Sequence, residues 1–158
     1  KSLYELKNIA IVTNPSIVNI HASKTFSGFN VLMFHGNSFH YYLENVDSLV
    51  SSGARDNPRH IMKFLLQRRH LAPTHASTLY IPDLRQDPLV IDIIPDIMVS
   101  GELHRPDVSI YNNVVTINCS CWQSPTDYEI KMGNNPDPAK VVVMNLKTRE
   151  IRILDFTK

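Results

Sequence analysis

Phe29-Asn30-Val31-Leu32-Met33-Phe34-His35-Gly36 is the stretch that decides how this chain folds. Six residues with a single polar interruption are too short for a buried helix and too apolar for a strand wetted on one face. They suit a central strand covered on both sides. Gly36 then lets the backbone turn sharply, and His35 is left just beyond the strand's C-terminal end. A second stretch repeats the pattern: Ile97–Ser100 is apolar and runs into Gly101-Glu102-Leu103-His104. Gly101 is expected to permit the turn, and residues 102 and 104, two apart, can point the same way. Loops at the C-terminal ends of such strands converge above a rigid sheet, which is where layered α/β folds build their sites.

Moving outward, Ile9–Thr13 and Ser16–His21 read as strands, with a turn over residues 23–28. His40–Val50 has helical spacing. Asn57 is expected as an N-cap with Pro58 in the first helical position, followed by Ile61, Met62, Leu65 and Leu66 on one face. That helix ends in Gln67-Arg68-Arg69-His70, cations suited to a helix C-terminus, and Leu71-Ala72-Pro73 stops it. Residues 76–88 read as a loop and Leu89–Ile93 as a strand. Val108–Tyr111 and Val114–Asn118 form a hairpin around Asn112-Asn113, a type I′ pair. Residues 124–139 are an extended connection with one helical turn. Residues 141–145 and 151–155 make a last hairpin. No repeat or low-complexity segment occurs. The sum is one α/β domain over residues 1–158, a layered sandwich flanked by helices.

The composition agrees. A chain of 158 residues, 43% hydrophobic and 20% charged, can bury one core and is not disordered. A net charge of +1 does not by itself advertise a nucleic-acid partner, though a local basic groove remains open. Cys119 and Cys121, the only cysteines, are read as residues of one strand; a disulfide between them is not expected and a reduced compartment is. No apolar run approaches the roughly 20 residues of a membrane span, and no signal peptide is visible. The first residue is Lys1, not Met, as expected of a fragment.

Among seven histidines, His35 and His104 have the best positions to act as metal ligands. A neutral imidazole suits manganese, zinc or iron, and the carboxylate of Glu102 suits harder ions. The competing reading is that both are hydrogen-bonded surface histidines at strand ends. His21, His40, His60 and His75 read as ordinary surface or half-buried residues. No C-x-x-C pair, phosphate-binding glycine loop or G-x-S-x-G elbow is present.

A longer pattern narrows the choice. Asn14-Pro15, the run from Val31 through His35-Gly36 to Ser38-Phe39, Leu66 through Arg68-Arg69-His70 to Thr74, Leu89–Asp92, Ile94-Pro95-Asp96, Gly101 with His104, Asn118, Trp122-Gln123 and Lys131 through Asn135-Pro136 to Pro138 occur in order along nearly the whole chain. Together they resemble the small subunit of the archaeal family D DNA polymerase. The resemblance implies the C-terminal part of a calcineurin-like metallophosphoesterase domain, a two-sheet sandwich with helices outside, related to the nuclease Mre11. It implies a manganese-dependent 3′→5′ exonuclease serving proofreading, located in the cytoplasm at the nucleoid. Its partners would be DNA and a large catalytic polymerase subunit.

Under the resemblance His35 matches a metal-binding histidine and His104 the second histidine of a Gly-His-x-His motif. The first histidine of that motif is Glu102 here. The family's upstream Asp-x-His, Gly-Asp and Gly-Asn-His-Asp motifs would precede Lys1. His35, His104 and Glu102 alone cannot hold two divalent ions about 4 Å apart, so the two-metal site is incomplete in this chain and the chain by itself is expected to be inactive. Arg68, Arg69 and His70 read either as a DNA-phosphate contact or as a solvated helix end. Trp122 and the proline-rich stretch to Pro138 read either as a surface for the large subunit or as a core tryptophan beside a loop. Three functions stay open: an exonuclease subunit, a catalytically silent scaffold of the same fold, and an unrelated small-molecule phosphoesterase. The Arg-Arg-His-Leu-Ala-Pro and Trp-Gln motifs weigh against the third.

Overall fold

The computed structural model describes residues 7–131 and 133–157. Its centre is a five-stranded mixed sheet of β1 (Ser16–Ile20), β2 (Phe29–Met33), β3 (Ile97–Ser100), β4 (Asp107–Tyr111) and β5 (Val114–Asn118), in the order β1-β2-β3-β5-β4. β2, β3 and β5 are parallel, and the two edge strands run antiparallel to their neighbours. Side chains alternate between the faces, as strand geometry requires. Leu32 and Met98 point to one core, Val31, Ile97, Val99, Val115 and Ile117 to another.

Helices α1 (Phe39–Asn45), α2 (Asp47–Ser51) and α3 (Arg59–Arg68) connect β2 to β3 and cover the first face. α3 buries Ile61, Met62, Phe64, Leu65 and Leu66, each worth about 1.5–3 kcal/mol relative to exposure. The opposite face is covered by a hairpin of β6 (Lys140–Met144) and β7 (Ile151–Asp155), whose Val142, Met144 and Ile151 pack on Ile97, Val115 and Ile117. The short helix α4 (Asp127–Lys131) lies in the connection before that hairpin. The architecture is the expected layered α/β fold, with an open sheet. No helix among the described residues is long and apolar enough to cross a membrane.

The Asn112-Asn113 turn is as expected: both residues have positive φ, at 45° and 65°, which a type I′ turn demands. Other expectations need correction. Residues 9–13 form no strand; Ile9, Ile11 and Val12 are exposed and have no ladder partner among the described residues. Residues 89–93 are not a strand either. Leu89 and Ile91 are buried, but the segment makes one bridge, His70 to Val90, and bonds Leu71 and Arg69 of the helix exit. The helix expected over 40–50 is two helices, broken where Val46 takes extended geometry (φ −116°, ψ 104°).

Asn57 does not cap α3. Its amide donates to the carbonyl of Gly53, and Pro58 occupies the cap position. The first N–H of the helix goes to Asp107 instead: Arg59 N–H donates to Oδ2 at 2.8 Å, and the Arg59 guanidinium pairs with the same carboxylate. A buried carboxylate at a helix N-terminus is favoured by the helix dipole, and this one ties α3 to β4. Cys119 and Cys121 lie past the end of β5 rather than in it, and both are free thiols. Trp122 is 71% exposed, which overturns its reading as a core residue.

Candidate metal-ligand cavity at the strand ends

The parallel strands deliver their C-terminal ends to one rim. The β2 and β3 exits are stitched together by the His35 carbonyl, which accepts from Gly101 N–H (3.1 Å), Glu102 N–H (3.0 Å) and the Ser100 hydroxyl (2.9 Å). The His35 N–H donates to Asn14 Oδ1 at 2.9 Å. His35 is thus fixed on both sides of its backbone by residues remote in sequence. Gly36 turns the chain at φ 115°, and a Cβ there would stand 2.6 Å from Glu102 Cβ and 2.9 Å from Ser100 Oγ. Only glycine lets the two loops approach this closely. Gly101 does not play the expected part: its φ is not positive, and a Cβ would meet nothing nearer than Cys119 Cβ at 4.0 Å. The left-handed residue of that turn is His104, at φ 51°.

Glu102 sits between two imidazoles. Its Oε2 is 2.6 Å from His35 Nδ1 and its Oε1 is 3.2 Å from His40 Nε2. His40 comes from the first turn of α1. His104 Nδ1 lies 2.6 Å from Glu129 Oε1. The other oxygen of Glu129 accepts from the N–H and hydroxyl of Thr126, while Glu129 N–H reaches Thr126 Oγ1. This is a capping box, Thr126-x-x-Glu129, at the start of α4. His35, His40, Glu102, His104, Tyr128 and Glu129 share an open cavity of about 260 Å³, with Gln123 and Asn134 on its wall.

A profile for the B-subunit family of DNA polymerase alpha/epsilon matches residues 2–108, about two thirds of the chain. The chain belongs to this family. It is also similar to proteins called DNA polymerase II small subunit. The one from Pyrococcus abyssi is 34% identical over 99% of this chain. Those from Methanocaldococcus jannaschii and Archaeoglobus fulgidus are 36% and 33% identical over 91% and 93% of it. The resemblance to the archaeal small subunit read from the sequence is borne out. The chain covers 24%, 23% and 28% of those three relatives, about a quarter of their length.

In this member of the B-subunit family the donor set can be tested against a divalent metal. An Nδ1 held by a carboxylate fixes the ring and leaves Nε2 with its lone pair, the usual arrangement behind a metal-binding histidine. His35 and His104 both have it. Both oxygens of Glu102 are engaged by histidine rings, so its carboxylate orients them in this geometry. Among the described residues no group of three or more His, Cys, Asp or Glu is arranged to hold a metal ion. The described residues therefore show two histidines with carboxylate-held Nδ1 atoms and no full coordination sphere.

The electrostatics follow from the same contacts. The hydrogen bond from His40, helped by the electrostatic contribution of His35, holds the Glu102 carboxyl below its usual range against the opposing effect of burial. Glu129 is likewise lowered, first by the Thr126 N–H and then by His104.

The cationic end of α3 is elsewhere; Arg68, Arg69 and His70 do not line this cavity. Arg69, in left-handed geometry, donates to the carbonyls of Ile91 and Asp92. Arg68 stacks over Phe64 and donates to its carbonyl. His70 Nε2 contacts Asp87, and its Nδ1 accepts from Ala72 N–H. Glu129 and His40, the residues that pair with His104 and Glu102, escaped the sequence reading. Glu129 was detectable as the fourth residue of a capping box, but its partner, His104, is 25 residues away. His40 carried no local signal, because its role depends on where Glu102 arrives.

Proposed function

We propose that this chain is part of a small subunit of a replicative DNA polymerase and contributes the His35/His104 side of a divalent-metal site for 3′→5′ hydrolysis of DNA, alongside a large catalytic subunit. The observation that carries this reading is the pairing of each histidine's Nδ1 with a carboxylate at the rim of the parallel strands. Each imidazole then presents Nε2 as a donor at one cavity. A bound divalent ion, such as manganese, would polarise the phosphodiester and supply the nucleophile. Glu102 and Glu129 hold the two rings in place, and Gly36 brings the Glu102 loop to the His35 loop. The remaining ligands would come from outside residues 1–158.

The test is release of nucleotides from 3′-end-labelled single-stranded DNA by the complete small subunit with Mn²⁺. His35→Ala or His104→Ala should lower the rate at least about 100-fold, and the 158-residue chain alone should release none. Unchanged hydrolysis in both variants overturns the reading.

One observation favours a second reading, a scaffold without metal. Glu102 supplies an internal anion that engages one nitrogen of each of two imidazoles, so that half of the cluster is held together without a cation. On this reading the complete protein takes up no Mn²⁺ and still assembles with the large subunit.

A further inference from the structure

We propose that His40 is a positioning residue of the cavity: by donating its Nε2 proton to Glu102 it fixes the carboxylate that holds the His35 ring with its proton on Nδ1 and its lone pair on Nε2. The use of that lone pair rests on reading His35 as a metal donor; the orientation itself belongs to the metal-free protein. His40 Nε2 lies 3.2 Å from Glu102 Oε1, and Glu102 Oε2 lies 2.6 Å from His35 Nδ1. The other nitrogen of His40, Nδ1, is buried and has no hydrogen-bond partner among the described residues.

That orphan nitrogen settles where the His40 proton sits. A neutral imidazole carries one N–H and one lone pair. With the proton on Nδ1, a buried donor would go unpaired and the Nε2 lone pair would face a carboxylate oxygen. With the proton on Nε2, the carboxylate is met by a donor and only a lone pair is left over. The proton is therefore on Nε2. The interior gains nothing from a nitrogen at the Nδ1 position, because an apolar side chain would leave no polar atom unpaired there. The contact with Glu102 is what calls for an imidazole.

The direction of control follows from burial. A glutamate side chain has several rotamers to lose, so a contact with one mobile partner orders it poorly. The His35 side chain is 62% exposed and the His40 side chain 32%. His40 is seated by α1, whose Phe39, Tyr42 and Leu43 are buried. The helix thus fixes His40, His40 fixes Glu102, and Glu102 selects the tautomer of His35.

The test uses the complete small subunit without divalent ions, its histidine ring nitrogens isotope-labelled for NMR, at a pH that keeps the rings neutral. His35 is assigned from His35→Gln. The parent should hold the His35 proton on Nδ1 and the His40 proton on Nε2. In His40→Leu and His40→Asn the His35 proton should spread over both nitrogens. His40→Gln should keep the parent pattern, because its amide nitrogen lies as many bonds from Cα as Nε2 does; that of asparagine is one bond short. The urea midpoint of His40→Leu should stay close to that of the parent, since the orphan nitrogen goes together with the contact. Mn²⁺ affinity in calorimetry should fall about tenfold in the leucine and asparagine variants and stay near the parent value in the glutamine one. A His35 proton that stays on Nδ1 in both the leucine and asparagine variants overturns the proposal, as does a glutamine variant that behaves like the asparagine one. If the tautomer follows residue 40 but no form binds Mn²⁺, the exonuclease reading falls and the positioning role stands. If the subunit binds Mn²⁺ and hydrolyses DNA while tautomer and affinity ignore residue 40, the proposal falls and that reading stands.

Discussion

His104 Nδ1 and Glu129 Oε1 lie 2.6 Å apart, across 25 residues of sequence. The same carboxylate closes the capping box of α4 through Thr126. One side chain thus serves two purposes: it starts a helix, and it fixes the tautomer and direction of a histidine in the cavity. The coupling means that the helix cannot unravel without releasing the imidazole.

Glu129→Ala should separate these purposes only poorly. Losing the capping carboxylate should cost about 1 kcal/mol of stability, read as a lower urea midpoint. Glu129→Gln is more informative. Its single carbonyl oxygen can accept from Thr126 or from His104, but cannot replace both carboxylate oxygens. It should hold most of the stability while lowering divalent-metal affinity of the complete subunit about 10–100-fold. Equal metal affinity in calorimetry would mean that the Glu129 contact does not orient a ligand.

Gly36→Ala should be among the most damaging small changes in the chain. The added Cβ would fall 2.6 Å from Glu102 Cβ at a backbone φ of 115°. Strain of this kind costs about 1–3 kcal/mol before any clash is counted. Gly101→Ala serves as the control, since its Cβ would have room. Chemical denaturation of both variants should show a large loss for the first and a small one for the second; similar losses would contradict the close approach of the two loops.

These cases also show what sequence can and cannot specify. The strands that built the rim, Phe29–Met33 and Ile97–Ser100, and the Asn112-Asn113 hairpin were legible because their signals are local: apolar runs of strand length and a residue pair fit for positive φ. Residues 9–13 and 89–93 carried a strand-like apolar pattern, but a strand needs a neighbour as well as a pattern. Leu89 and Ile91 found burial against the exit of α3 without a ladder. At the site, His35 and His104 were visible as strand-end residues. The contacts of Glu102 with His40, and of His104 with Glu129, join segments whose meeting no local signal encodes.

Acid should weaken the join between α3 and the segment that follows it. Asp87 accepts from Leu89 N–H and faces His70, and these contacts, the backbone bond first, hold its carboxyl below the usual range. A carboxyl lowered in the folded state contributes stability that is present above its unfolded value and is lost as pH falls through the folded one. Urea midpoints measured from neutral pH down through the carboxylate range should therefore fall less steeply for Asp87→Ala than for the parent, and the variant should already be weaker at neutral pH. Parallel pH profiles would remove Asp87 from the acid response.

Glu102→His decides between the enzyme and the scaffold. The resemblance to the archaeal small subunit implies an imidazole at this position, a neutral donor; the glutamate adds a negative charge. Here each of its oxygens is met by a ring nitrogen, from His35 and from His40. Replacing it removes the acceptor for one exposed and one half-buried imidazole, which should cost about 1 kcal/mol of stability. It also removes a negative charge from the cavity and supplies a further nitrogen donor suited to manganese, a gain set against the loss of the carboxylate that holds His35 Nδ1. In the complete subunit Glu102→His should therefore raise Mn²⁺ affinity in calorimetry, and should raise the rate of release from 3′-labelled DNA if the remaining ligands are present. A scaffold would show the gain in affinity against a parent that binds almost no Mn²⁺, with assembly on the large subunit unchanged. If the natural glutamate form instead binds Mn²⁺ more tightly and digests DNA faster than the histidine form, Glu102 is itself a working ligand, and its contacts with His35 and His40 are the resting arrangement of a site that opens to the metal.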